Sequence, residues 1–210
     1  MKNILITGGA GFIGSHICVS LLEANYNIFI ADTFLNSSRR VFDSIRKISI
    51  NKNKPNNNEI YIFEGDIRDE GFLRNIFEKA ANNQMAINGV IHCAGLKAVR
   101  ESISNPLIYW DTNVKGSINL FKVMNENKCR TILFSSSATV YGNSDQIPFK
   151  ESSDLNPINP YGETKVVVEK ILNNLFNSSI NVWRVGYLRY FNPIGAHPTG
   201  LIGENPSGIP

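Results

Sequence analysis

Tyr161 and Lys165 stand four residues apart in Tyr-Gly-Glu-Thr-Lys, a spacing that puts both side chains on one face of a helix, one turn apart. A free phenol titrates near pH ~10 and is a poor base at neutral pH. An ammonium beside it favours the phenolate, so the pair can take a proton from a substrate hydroxyl. Tyr-x-x-x-Lys arises by chance in many helices, and here position gives it weight. It opens a helix that follows Phe134-Ser135-Ser136-Ser137-Ala138-Thr139, the end of an apolar segment. Three serines after a strand usually make only a turn, yet one of these hydroxyls can share a substrate hydroxyl with Tyr161.

A second group of residues suits phosphate. Thr7-Gly8-Gly9-Ala10-Gly11-Phe12-Ile13-Gly14 fits G-x-G-x-x-G from Gly9 and G-x-x-G-x-x-G from Gly8. Glycines let the chain turn tightly, approach a pyrophosphate and pack a helix on its strand. The helix N-terminus then offers free N–H groups and a positive dipole end. Such a cluster alone is weak, but this one follows an apolar strand and opens an amphipathic helix. Asp32 comes 18 residues after Gly14. A carboxylate there accepts ribose hydroxyls and repels a 2′-phosphate, which favours NAD over NADP. Arg39 and Arg40 lie nearby and argue the other way, with less weight because Asp32 holds the discriminating position. Asp66 is placed to bond an adenine amine and Ile67 to pack on the ring; a plain turn is the alternative for Asp66.

Strands must end beside these residues to bring them together. Near-continuous β-branched or aromatic runs predict strands at Asn3–Thr7, Asn27–Ala31, Ile60–Glu64, Gly89–His92, Thr131–Ser135 and Val182–Arg189, buried on both faces. Helical patterns predict Phe12–Ala24, Ser38–Ile48, Glu70–Asn82, Leu107–Asn127 and Tyr161–Phe176, with caps expected at Asp69, Asn105-Pro106 and Asn159-Pro160. This alternation predicts an α/β fold with a doubly wound parallel sheet, its ligand at the carboxyl ends of the strands. Asn51–Asn58 is low-complexity and polar, and reads as a solvated insertion.

Composition is that of an ordinary globular chain: 210 residues, 42% hydrophobic and 19% charged. A net charge of +3 without a long basic run does not imply nucleic acid or an anionic membrane. Cys18, Cys93 and Cys129 are odd in number and scattered, as expected of buried thiols in a reducing compartment. His16, His92 and His197 are scattered too, so no metal site is expected. Met1-Lys2-Asn3 runs straight into Ile4-Leu5-Ile6, too short for a signal peptide, which points to a cytoplasmic protein.

At six segments the chain resembles the extended short-chain dehydrogenase/reductases, and among them the UDP-glucose 4-epimerase family. They are TGGAGFIGSH (7–16), EGDIRDE (64–70), HCAGLKAVRES (92–102), FSSSATVYG (134–142), NPYGETK (159–165) and LRYFNPIGAHPTG (188–200). The glycine loop and Tyr-x-x-x-Lys indicate only the superfamily; FSSSATVYG with LRYFNPIGAHPTG narrows it. A nucleotide-sugar 4,6-dehydratase would carry an acidic residue where Ala138-Thr139 stand. The resemblance implies that Gly8, Gly11, Phe12, Ile13 and Gly14 line the NAD pyrophosphate, and that Asp32, Thr33, Asn36 and Ser37 surround the adenosine ribose. Asp66 and Ile67 would meet the adenine, with Cys93, Ala94, Gly95, Lys97 and Thr112 along the rest of the cofactor. Cys93 replaces a frequent phenylalanine, and Thr112 replaces an asparagine of some members. Ser137, Tyr161 and Lys165 would be catalytic, Lys97 and Thr139 would lie beside the sugar, and Phe191 and Asn192 would touch nicotinamide and substrate.

The activity implied is interconversion of UDP-glucose and UDP-galactose, in galactose metabolism, through a 4-keto sugar. Tyr161 takes the 4-hydroxyl proton while NAD takes the hydride and later returns it to the opposite face. The family continues beyond Gly208-Ile209-Pro210 into a smaller lobe that holds the uridine diphosphate. Residues 1–189 are therefore expected to form the NAD-binding domain, with 190–210 the start of a truncated substrate-binding region. A homodimer is expected of the full-length form. Two alternatives stay open: another nucleotide-sugar epimerase or dehydratase, or a non-catalytic NAD-binding remnant. Intact Ser137, Tyr161 and Lys165 favour an enzyme.

Overall fold

Successive side chains of a strand point to opposite faces, and the central strands of this chain are apolar on both. The computed structural model describes residues 2–49, 58–144, 147–178 and 182–204. Among them six strands form one sheet: β1 (Asn3–Thr7), β2 (Asn27–Asp32), β3 (Ile60–Glu64), β4 (Gly89–His92), β5 (Thr131–Ser137) and β6 (Arg184–Tyr190). Their order is β3-β2-β1-β4-β5-β6, with every neighbouring pair parallel. The doubly wound, Rossmann-like sheet expected from the alternation is what the chain forms. The order reverses between β1 and β4, and that switch point is where such sheets bind ligands.

On one face Leu5, Phe29, Val90, Ile132 and Phe134 pack against α3 (Glu70–Asn82), α6 (Gly116–Glu126) and α7 (Pro160–Ser178), which contribute Leu73, Ile76, Leu120, Met124, Val168 and Leu172. On the other, Ile6, Ile28 and Ile30 pack against α1 (Phe12–Glu23) and α2 (Val41–Ser49) through Cys18, Val19, Leu22, Phe42 and Ile45. Each such side chain contributes about 1.5–3 kcal/mol by leaving water. All six residues of β2 are buried, as expected of an inner strand. β3 and β6 are largely half-buried instead, because they form the edges, where covering helices meet them from one side only.

Two caps form as expected. Asp69 accepts from Gly71 N and Phe72 N at the start of α3, and Asn159 Oδ1 accepts from Gly162 N at 2.8 Å while Pro160 opens α7. Asn105 differs. It closes α4 (Val99–Ser104), its N–H donating to Glu101 O, and its side-chain amide donates to Ser104 Oγ rather than capping α5 (Pro106–Tyr109). The single helix expected over Leu107–Asn127 is three pieces: α5, a π-helical turn at Trp110–Lys115, and α6. The Ser117 hydroxyl donates to Asn113 O and occupies that carbonyl within the irregular turn. Of the polar segment Asn51–Asn58, all but Asn58 lies outside the described residues. Cys18 and Cys129 are buried and Cys93 half-buried, all as free thiols. No helix of the described residues is long and apolar enough to cross a membrane.

Candidate active site

β1 delivers the glycine loop to the carboxyl edge of the sheet. Gly8 has φ +72°, and a Cβ there would lie 2.7 Å from Ala94 N, so the loop after β1 touches the loop after β4. A Cβ on Gly14 would come 2.2 Å from Gly8 O, so only glycine lets α1 start this close to its strand. Gly11 stands at the N-cap in extended conformation without a side-chain cap, and no acidic residue occupies the first turn. The first N–H groups of α1 are thus left for an anion, with no carboxylate to compete.

Asp32, 8% exposed, closes this cradle at the end of β2. Its Oδ2 accepts from Ala10 N at 2.9 Å, and its Oδ1 accepts from Phe34 N at 3.0 Å and Ser37 Oγ at 3.1 Å. The Thr33 hydroxyl accepts from Leu35 N at 3.4 Å, and Asn36 is exposed. Arg39 forms an ion pair with Glu64 and lies 4.5 Å over the Phe34 ring, so its charge is already matched. Both oxygens of Asp66 accept from the Arg68 guanidinium, which also reaches Asp111 at 2.9 Å. Hydrogen bonds from Arg68 hold the Asp66 carboxyl below the usual carboxylate range. Ile67 is 5% exposed and belongs to the main core.

Tyr161 and Lys165 occupy the first turns of α7, 9% and 6% exposed. The Lys165 ammonium donates to Ser135 O at 2.8 Å, 4.8 Å from the Phe134 ring centre and 5.6 Å from that of Tyr161. β5 ends at Ser137, whose hydroxyl accepts from Thr139 N at 3.2 Å and meets Thr139 Oγ1 at 2.9 Å. Gly162 brings the two parts together: a Cβ there would stand 2.9 Å from Thr139 O, so α7 begins directly against the turn after Ser137.

Sequence reasoning missed Asn113, 3% exposed in the π-helical turn. Its Oδ1 accepts from Leu96 N at 2.8 Å; its Nδ2 donates to Leu96 O at 3.0 Å and to Thr164 Oγ1 at 3.2 Å. The Thr164 hydroxyl donates to Tyr161 O at 2.7 Å, so one amide joins the loop after β4 to the helix of Tyr161. Gly95, at φ +156°, lies against the same amide, 3.0 Å from Asn113 Oδ1 to the position of a Cβ. His92, read as merely scattered, sits behind it. Because Ser117 Oγ donates to Asn113 O, His92 Nε2 carries the proton that meets Ser117 Oγ at 2.9 Å, and His92 Nδ1 accepts from Thr7 Oγ1 at 2.6 Å. Burial, then the charge of Lys165, pushes the imidazole down to about 3, so it stays neutral. Burial raises the Cys93 thiol to about 11, which leaves it a packing residue. Asparagine and histidine in apolar company carry no periodic signal, and only the irregular turn aims Asn113 inward.

Other expected site residues stand apart from this centre. The Lys97 ammonium is exposed and ion-paired with Glu204 at 2.9 Å. Thr112 is half-buried on the π-helical turn, and Ala94 N meets Thr7 Oγ1 at 3.4 Å. Phe191 and Asn192 lie past the end of β6 and are exposed, with the Phe191 ring 6.3 Å from that of Phe149. Among the described residues no His, Cys, Asp and Glu cluster could hold a metal.

A parallel doubly wound sheet with a glycine loop at its switch point and a Tyr–Lys pair on the adjoining edge defines a Rossmann-like α/β protein with a candidate acid–base pair. The chain belongs to the family described as GDP-mannose 4,6 dehydratase, which matches residues 5–200. It is 47% identical over 211 residues to a UDP-glucose 4-epimerase of Neisseria meningitidis, covering 100% of this chain and 58% of that protein. It is 42% identical over 209 residues to UDP-glucose 4-epimerase 2 of Arabidopsis thaliana, again across 100% of this chain and 57% of the relative. The crystal structure of a UDP-glucose 4-epimerase from Stenotrophomonas maltophila, with bound NAD and formylated UDP-arabinopyranose, superposes with a TM-score of 0.89 at 40% identity, over 100% of this chain and 59% of that one. The chain thus spans a little under three fifths of the length of these relatives.

Proposed function

We propose that this chain is the NAD-binding part of an epimerase that interconverts UDP-glucose and UDP-galactose. The observation that carries the proposal is the Lys165 ammonium, held on Ser135 O between the Phe134 and Tyr161 rings, on the sheet edge next to the glycine cradle. The cradle suits a dinucleotide because glycine at positions 8 and 14 lets α1 begin close against β1 and the loop after β4, and the open first turn of α1 receives the pyrophosphate. When bound, NAD supplies the capacity to accept a hydride from the sugar and give it back. Asp32 uses three of about four acceptor positions internally, so Ser37 turns away as Asp32 takes the ribose hydroxyls.

With the Lys165 ammonium beside it, Tyr161 removes the proton of the sugar 4-hydroxyl, and Ser137 shares a hydrogen bond with that oxygen. The resemblance of their segments assigns Thr139, Lys97 and Asn192 to the sugar and Phe191 to the nicotinamide. The family description names a dehydratase. Eliminating water needs a further proton donor, and Ala138 and Thr139 offer no carboxyl after Ser137, so epimerisation is the better fit. Residues 1–189 constitute the cofactor domain, and 190–210 begin the region that grips the nucleotide sugar. A cytoplasmic homodimer is the form we assign to the full-length protein; exposed Ile103, Leu107 and Ile108 on α4 and α5 give it a candidate surface.

Calorimetric titration tests the cofactor assignment. Asp32 and the engaged Arg39 lead to much tighter binding of NAD than of NADP. Equal affinities, or a preference for NADP, would overturn it.

A further inference from the structure

We propose that the buried Glu169–Arg189 ion pair is the positioning device of this site, holding Ser137, the Tyr161–Lys165 pair and the approach to Phe191 in one register. The proposal rests on the site assigned above. Glu169 lies on α7, one turn beyond Lys165, and its side chain is 2% exposed; that of Arg189 is 16% exposed, on β6, two residues before Phe191. Glu169 Oε2 accepts from Arg189 Nη2 at 2.7 Å, and Oε1 accepts from Arg189 Nε at 3.1 Å and Ser136 Oγ at 2.6 Å. Arg189 Nη1 donates to Tyr141 Oη at 3.0 Å and Glu151 O at 3.1 Å, with the guanidinium 5.2 Å over the Tyr141 ring.

One ion pair therefore joins four pieces of chain: the end of β5 beside Ser137, the 138–141 turn that carries Thr139, the helix of Tyr161 and Lys165, and the strand that leads to Phe191 and Asn192. Each contributes a residue of the proposed site. Stability alone does not account for the pair, since apolar residues of similar volume commonly replace a buried ion pair without loss. The guanidinium fork offers direction: two parallel bonds fix both distance and angle between α7 and β6. Ser136 extends the same constraint to β5, on which the Lys165 ammonium is anchored through Ser135 O. Without the pair, α7 and β5 are free to shift and Lys165 loses its acceptor. Glu169 and Arg189 are positioning residues; they act through the groups they hold.

The test compares the parent chain with the double variant Glu169→Leu/Arg189→Met and with Arg189→Lys, which keeps the charge but not the fork. Three quantities are measured: the thermal midpoint, the rate at which an amine-acylating reagent labels Lys165 relative to exposed Lys128 (by mass spectrometry, without ligand), and the affinities for NAD and for ADP-ribose, which lacks the nicotinamide. In the double variant the midpoint stays near that of the parent while Lys165 is labelled about tenfold faster, the effect of losing one charge-assisted hydrogen bond. NAD affinity falls relative to ADP-ribose, and Arg189→Lys is intermediate. Parent-like labelling of Lys165 in a folded double variant overturns the proposal. If that variant does not fold, Glu169→Gln and Arg189→Lys take its place, and parent-like labelling in both overturns it equally. Labelling is read without ligand, so a parent that binds neither NAD nor ADP-ribose defeats the cofactor assignment and leaves Lys165 to decide the positioning role.

Discussion

Tyr161 and His92 stand at the same packed edge and have different parts there. Tyr161 has the anchored Lys165 ammonium beside it, and a phenylalanine there keeps the ring but removes the oxygen. In a protein with measurable epimerase activity, Tyr161→Phe is expected to lower turnover by about 10²–10⁴ while NAD affinity hardly changes. Near-normal conversion of UDP-galactose would assign the base elsewhere. His92 is wholly buried and neutral, pushed from 6.5 down to about 3. Between those values the unfolded chain binds a proton that the folded chain refuses, so stability is full above pH 6.5 and falls as the pH drops toward 3, by at most ~1.4 kcal/mol per pH unit. Urea midpoints measured from pH 7 to pH 5 should decline more steeply for the parent than for His92→Gln; equal slopes would show that His92 is not the group responsible.

At the scale of elements, the glycine loop separates packing from ligand binding. A Cβ at Gly14 would meet Gly8 O at 2.2 Å and Gly9 Cα at 2.8 Å, so α1 must retreat from β1. Overpacking of this kind costs about 1–3 kcal/mol, and each kcal/mol lowers the thermal midpoint of a chain this size by about 2–4 °C. A Cβ at Gly11 would make only an ordinary contact, 3.5 Å from Gly8 O, but would point where the phosphates are proposed to lie. Gly14→Ala should therefore lower both midpoint and NAD affinity, and Gly11→Ala mainly the affinity. A scanning-calorimetry and binding comparison in which Gly11→Ala behaves as Gly14→Ala would place the pyrophosphate elsewhere.

At the scale of the whole molecule, the described residues form one six-stranded parallel sheet. Exposed Phe191, Asn192 and Ile194 follow β6, and nothing among the described residues encloses a nucleotide sugar there. Binding energy from the remote nucleotide normally positions the reacting sugar, so its loss lowers turnover as well as affinity. These 210 residues by themselves are expected to bind NAD weakly at best and to convert UDP-galactose to UDP-glucose at little or no rate. Turnover comparable with that of a longer epimerase, assayed with added NAD, would show that the site needs no further lobe.

Local signals in the sequence were enough for the inner strands, because burial on both faces writes itself as short apolar runs: β1 and β4 begin and end where those runs do. The glycine loop, Asp32 and the Tyr161–Lys165 spacing were legible for a similar reason, since each depends on residues close in the chain and on the strand end that carries them. The broken helix at Trp110–Lys115 was not, because its departure from regular geometry accompanies Ser117 bonding Asn113 O, a choice that side chains make only once packed. Asn113, His92 and the Glu169–Arg189 pair join residues up to 85 positions apart, as Thr7 and His92 are. Such pairings have no period and no motif. They exist only after the sheet has brought the ends of β1, β4, β5 and β6 to one edge, where burying a polar group without a partner costs too much and each must find one.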